Sequence, residues 1–195
     1  MIPEEFSGAA IESSTSLTGR KIFLRPFQEA DSARLYEAVN QSREMLKRRL
    51  NWVSEAHSQQ DCLQFVQRAS QEKTQGLAEH FGVFDRRAQE LIGAGALTRL
   101  TTRNASRARL GVWIRADRQN HGYGAEVAKV LCEYGFRDLG LHRIYARMDP
   151  ANRPYRKVLM KVGFRYEGSL RDEKKLNGRW IHQECWGLLR TEWKK

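Results

Sequence analysis

Gln119-Asn120-His121-Gly122-Tyr123-Gly124 combines two glycines with amide and imidazole side chains in one short run. That pattern suits a loop whose main-chain N–H groups wrap a pyrophosphate. Gly122 and Gly124 have no Cβ atoms, so an anion can approach the backbone closely. Ala125 follows at the head of a helix pattern, whose first turn adds unpaired N–H donors and the positive end of a dipole. Asn152 and Tyr155 stand at the head of a second, shorter helix pattern. The asparagine suits either a ligand contact or a turn before Pro154. The phenol, with a pKa near 10, suits a proton donor, although it also shares an apolar face with Val158 and Val162. For a general base the last third offers His182 and Glu184, each more readily structural, while Asp172 or Glu173 would serve only from a shifted loop. His121 reads as a loop residue with an exposed ring.

The elements around these residues follow from periodicity. Lys21 to Pro26 reads as a first strand stopped by proline. Asp31-Ser32 predicts a cap for a helix carrying Leu35, Tyr36 and Val39, with Met45 and Leu50 after a polar break. Gln59 to Thr74 forms a second helix. Phe81–Phe84, Leu91–Leu97 and Ala108–Ile114 form an antiparallel meander, judged by their short connections. Gly124 to Phe136 is helical through Val127, Val130, Leu131 and Tyr134. Arg143–Arg147 alternates as a strand, a helix from about Pro154 ends at Gly163, and Arg165–Gly168 and Trp180–Leu189 close the chain around an Asn177-Gly178 turn. The crossover after Ile114 predicts two parallel strands splayed around a ligand. The expected class is one α/β (α+β) domain over residues 17–195, behind a flexible extension at 1–16.

Composition narrows the classes. The chain has 195 residues, 41% of them hydrophobic, which suits one globular domain. No apolar run is long enough for a bilayer and the first residues lack a signal core, so a cytoplasmic protein without membrane contact is expected. Cys62, Cys132 and Cys185 form neither a CxxC pair nor a zinc set with the histidines, so reduced thiols and no metal are expected. The net charge is +11, and Leu141–Arg179 holds eleven Lys/Arg against four Asp/Glu. Such a field attracts phosphates, acidic proteins or RNA, or is simply a solvated basic surface.

Gln119-x-x-Gly122-x-Gly124, Asn152 some 28 residues after it, and Lys161-Val162-Gly163-Phe164 together resemble the GNAT acetyltransferase superfamily. Leu24-Arg25-Pro26, Leu50-Asn51-Trp52, Leu91-Ile92-Gly93, Glu167-Gly168-x-x-Arg171 and the stretch Leu188 to Trp193 resemble its RimJ/RimL branch of ribosomal-protein N-terminal acetyltransferases. The resemblance implies the GNAT fold: a mixed, mostly antiparallel sheet with a splayed parallel pair and flanking helices. It also implies acetyl transfer from acetyl-CoA to a primary amine, without a metal. The Ile114 N–H would face the acetyl carbonyl, and Gln119, Asn120, His121, Gly122, Tyr123, Gly124 and Ala125 would hold the pyrophosphate. Asn152 would meet the pantetheine arm or assist the thiol. Asn51 and Trp52 would contact the acceptor.

This chain departs from that pattern at three places. Tyr155 stands where relatives carry serine near the departing thiolate, Arg109 where the strand often carries glutamate, and Lys174 where some relatives place a glutamate base. An α-amine, with a pKa of about 7.7–8.0 against about 10.4 for lysine, needs less help from a base. The leading expectation is therefore acetylation of a protein N-terminus, most simply of a ribosomal protein, by a monomer or homodimer that associates with ribosomes. Small-amine acetylation and a non-catalytic acetyl-CoA sensor or RNA-binding protein are the alternatives.

Overall fold

The computed structural model describes residues 15–50, 53, 57–101 and 106–194. Eight strands form one sheet in the order β1-β2-β3-β4-β5-β6-β8-β7. They are β1 (Leu17–Thr18), β2 (Ile22–Pro26), β3 (Ala78–Asp85), β4 (Leu91–Thr101), β5 (Arg107–Ile114), β6 (Arg143–Met148), β7 (Arg165–Leu176) and β8 (Arg179–Leu189). Five helices flank it: α1 (Ser32–Gln41), α2 (Arg43–Lys47), α3 (Gln59–Thr74), α4 (Tyr123–Arg137) and α5 (Arg153–Val162). Every neighbouring pair is antiparallel except β5 and β6. The mixed sheet and its single parallel pair agree with the sequence expectation.

Two apolar clusters cover opposite faces of the sheet. On one, α4 buries Val127, Ala128, Leu131 and Cys132 against Leu97, Ala108, Leu110 and Ile144. The helix lies very close to β4 at Gly95, where an added Cβ would sit 2.8 Å from Leu131 Cδ1 and 2.9 Å from Val127 Cγ1. On the other face α1 and α3 pack Leu35, Val39, Cys62 and Val66 against Phe84 and Leu91. This second cover reaches only as far as Ala94 and Trp113.

The expected polar break after the first helix falls at Ser42, whose φ of −116° and ψ of 8° end α1 and start α2. Ser42 is 2% exposed, and its hydroxyl accepts from the Ala116 N–H at 3.0 Å. The break thus ties the α1–α2 corner to the turn after β5. Asp31 differs from expectation. It precedes α1, but its side chain makes no capping bond to that helix. The carboxylate instead takes both ends of Arg25, at 2.6 and 2.8 Å, and the Gln28 N–H at 2.9 Å. A two-pronged ionic bond to a nearly buried carboxylate outcompetes a single N–H at the helix start. β7 continues to Leu176, well past the expected end at Gly168, because irregular register around Gly168 and between Leu170 and Lys174 keeps it paired with β8.

Candidate active site

The parallel pairing of β5 and β6 covers only Arg107↔Arg143, Ala108↔Ile144 and Arg109↔Tyr145. Beyond Arg109 and Tyr145 the strands part, although each runs on. The Arg115 N–H bonds to the Ile92 carbonyl of β4 at 2.8 Å. Antiparallel ladders alternate, so the main-chain groups of Ile114, Val112 and Leu110 point away from β4, into the gap that β6 has left. Two side chains meet the carbonyls there: Gln119 Nε2 donates to Ile114 O at 3.2 Å, and the Tyr155 hydroxyl donates to Leu110 O at 3.2 Å. The Ile114 N–H faces the same gap, where a fixed donor stabilises charge developing on an oxygen.

In the loop after β5, Asn120 and Gly122 have φ of 64° and 84°, left-handed conformations of the kind found in anion-binding backbone nests. The α4 start at Gly122 has no side-chain cap, whereas Ser58 caps α3 and Asn152 caps α5. The first helical bond of α4 is Glu126 N–H to Gly122 O at 3.2 Å, so the N–H groups before it have no partner within the helix. Side chains brace the loop from behind: Lys21 Nζ donates to His121 O at 3.1 Å, and the Tyr123 hydroxyl donates to Asp85 Oδ2 at 2.5 Å. Tyr123's hydrogen bond, with two main-chain donors, holds the Asp85 carboxyl below the usual range. His121 Nδ1 lies 2.6 Å from Gln119 O, an intraloop contact on an exposed ring. Gly124 sits at the floor of the gap; a Cβ there would lie 3.5 Å from Val158 Cγ2 and 3.9 Å from Ile114 Cγ1.

At the far wall, Asn152 Oδ1 accepts from the Tyr155 N–H at 3.3 Å, so the asparagine caps α5. Burial pushes the Tyr155 phenol well above its usual value against the opposing pull of Arg109. It is therefore protonated at neutral pH. Its ring lies against the core and its hydroxyl reaches into the gap.

The base candidates each have a partner, and Asp172, largely exposed, has its Oδ1 3.2 Å from His182 Nδ1. Glu184 takes Arg156 Nε at 3.2 Å and the Trp186 indole N–H at 3.0 Å. His182 Nδ1 accepts from the Asp172 N–H at 3.0 Å, within the irregular stretch of the β7–β8 hairpin. Glu173 is ion-paired with Arg147. Lys174 Nζ donates to Arg49 O at 3.1 Å, and Asn177 Nδ2 to Lys47 O at 3.4 Å, so the hairpin reaches back to the end of α2. Beneath it lies a cavity of about 260 Å3 lined by Arg99, Arg109, Tyr145, Arg147, Glu173, Lys174 and Gln183. Asn51 and Trp52, expected to touch the acceptor, lie outside the described residues. So does most of the expected 1–16 extension.

Sequence reasoning did not find the cavity, because Arg99, Tyr145 and Arg147 come from strands whose order in the sheet is set by the crossover. The alternation of Arg143, Tyr145 and Arg147 was a signal for a charged strand face. Among the described residues no cluster of His, Cys, Asp or Glu could hold a metal ion. No helix of the described residues is long and apolar enough to cross a membrane.

Residues 21–165 match the acetyltransferase (GNAT) domain family. The chain belongs to the GNAT acetyltransferases. It is 32% identical over 133 residues to the uncharacterized N-acetyltransferase p20 of Bacillus licheniformis, covering 68% of this chain and 72% of that protein. The ribosomal protein uS5-alanine N-acetyltransferase of Escherichia coli K12 is 26% identical over 178 residues, covering 91% and 92%. RimL, a ribosomal L7/L12 alpha-N-protein acetyltransferase solved in complex with coenzyme A, superposes with a TM-score of 0.83 at 19% identity, covering 89% of this chain and 97% of that one. The GNAT fold and the RimJ/RimL-type neighbourhood expected from the motifs are thus both found.

Proposed function

We propose that this GNAT acetyltransferase uses acetyl-CoA to acetylate the N-terminal α-amine of a protein, most simply a ribosomal protein, in the cytoplasm. The observation that carries this reading is the gap between β5 and β6, which presents the Ile114 N–H beside the uncapped start of α4. Bound there, acetyl-CoA supplies the thioester whose acyl carbon the amine attacks directly. The loop from Gln119 to Ala125 holds the diphosphate through main-chain N–H groups, and Gln119 fixes Ile114 by holding its carbonyl. The Ile114 N–H stabilises the negative charge that grows on the acyl oxygen. Tyr155 holds a proton at its hydroxyl for the departing sulfur, and Asn152 keeps the helix bearing Tyr155 in place. With Glu173 and Glu184 held in ion pairs by Arg147 and Arg156, amine deprotonation passes through water, which suits an α-amine better than a lysine.

The small-amine alternative is weakest for polycations, because the cavity under the hairpin carries Arg99, Arg109, Arg147 and Lys174. The proposal is tested with labelled acetyl-CoA and a panel of ribosomal proteins and N-terminal peptides. Expected is label at the α-amine, located by mass spectrometry. Tight acetyl-CoA binding without transfer to any amine would support a sensor instead.

A further inference from the structure

Arg109 and Tyr145 form the last rung before β5 and β6 separate. Ala108, Leu110, Ile144 and Ala146 face α4 in the core. By alternation, Arg109, Tyr145 and Arg147 face the other side of the sheet, beyond the cover of α1 and α3. The β7–β8 hairpin roofs this patch by bonding to the end of α2 through Lys174 and Asn177. This open hollow is lined by four cationic side chains, Arg99, Arg109, Arg147 and Lys174, and one carboxylate, Glu173. Glu173 is taken by Arg147. The guanidinium groups of Arg99 and Arg109 have neither an ion pair nor a hydrogen bond among the described residues. Burial lowers the pKa of the Arg109 guanidinium, with Arg99 and Arg147 adding to the effect and Tyr155 opposing it. Burial likewise lowers that of Lys174, with Arg109 adding to it. Arg109 and Lys174 are partly desolvated and Arg99 stands exposed at the edge of the hollow; such cations repel one another, and an anion placed among them relieves both costs.

We propose that this cavity is an anion subsite on the acceptor side of the gap, and that the acceptor is an acidic N-terminal peptide whose early carboxylate is held by Arg109 and Arg99. The inference rests on the reading of this chain as an N-terminal acetyltransferase. The position supports it: the hollow begins at the rung where the gap opens, on the face away from α4 and α5. Its size supports it too, since about 260 Å3 is below the roughly 300–1,000 Å3 of pockets that enclose a whole small ligand. It admits an end group and leaves the rest of a chain outside. Glu173, already neutralised by Arg147, does not repel that group as a free carboxylate would.

The test pairs two amidated peptides, Ala-Asp-Ala-Ala and Ala-Asn-Ala-Ala, with free aspartate as a third arm. Each is titrated calorimetrically into the coenzyme A-saturated protein, in wild type and in Arg99→Gln, Arg109→Gln and the double variant. Expected is at least tenfold tighter binding of the aspartyl peptide, falling with added salt, with the ratio dropping toward one in the double variant. The thermal midpoint of each variant should not fall. Free aspartate binding as tightly as the peptide would overturn the peptide assignment and make the occupant a small acidic amine. Equal affinity for both peptides, or a preference that survives the double variant, would overturn the subsite. Because binding is read without turnover, selective binding without acetyl transfer would count against the proposed reaction alone.

Discussion

The Tyr155 hydroxyl donates to the Leu110 carbonyl, a group exposed by the parting of β5 from β6. One side chain thus covers a main-chain oxygen that lost its strand partner and keeps a proton inside the gap. In Tyr155→Phe both roles vanish. Expected is a fall in kcat of about 100-fold, within the range of a lost general acid, with KM for acetyl-CoA nearly unchanged. Leaving Leu110 O unpaired should also cost about 1–3 kcal/mol in urea unfolding. An unaltered kcat in a folded variant would leave the residue with packing alone.

Gly124 separates steric from electrostatic exclusion. An alanine Cβ would make ordinary contact with Val158 at 3.5 Å, so Gly124→Ala should fold normally. Gly124→Glu places a carboxylate among the donors meant for a diphosphate. Calorimetry should show coenzyme A binding abolished in the glutamate variant at an unchanged circular dichroism spectrum. If affinity were unaltered, the loop would not be the cofactor site.

Arg109 should be a stability liability. It is a partly buried cation with no acidic partner among the described residues. Arg109→Met keeps the length of the side chain and removes the charge, so the protein should gain about 1 kcal/mol, or roughly 2–4 °C in Tm for a domain of this size. Differential scanning calorimetry checks this, and a lower Tm would mean that the guanidinium is already satisfied.

Acid should act through Asp31. Burial alone would raise its pKa, but Arg25 and the Gln28 N–H outweigh burial and bring it below the usual 3.8. A lowered folded-state pKa adds stability that is complete above the unfolded value and is lost as pH falls through the folded one. Urea midpoints measured from about pH 5 to pH 2 should therefore fall less steeply in Asp31→Asn than in wild type. The variant should nonetheless be less stable at neutral pH, since it leaves Arg25 without its carboxylate. Parallel curves would remove Asp31 from the acid response.

Local pattern carried much of the fold. The glycine loop, the α4 face through Val127 and Leu131, and the Asn177-Gly178 turn each depend on neighbours in sequence. What escaped depends on contacts across the chain. Asp31 resembles a helix cap until Arg25 is seen beside it. Ser42 resembles a polar break until its bond to the Ala116 N–H is known. The cationic cavity draws on β4, β5, β6, β7 and β8 and has no local signature. Tyr155 was legible as packing from its place beside Val158 and Val162, whereas its bond to the Leu110 carbonyl depends on a strand 45 residues earlier.

Three rungs alone join β5 directly to β6. The sheet is therefore two half-sheets hinged at one end, like an open book whose spine runs past Arg107. Whatever fills the opening and bonds to its inner margins replaces the missing rungs. Occupancy and stiffness then become one quantity, and amide exchange at Val112 and Ile114 should report on both.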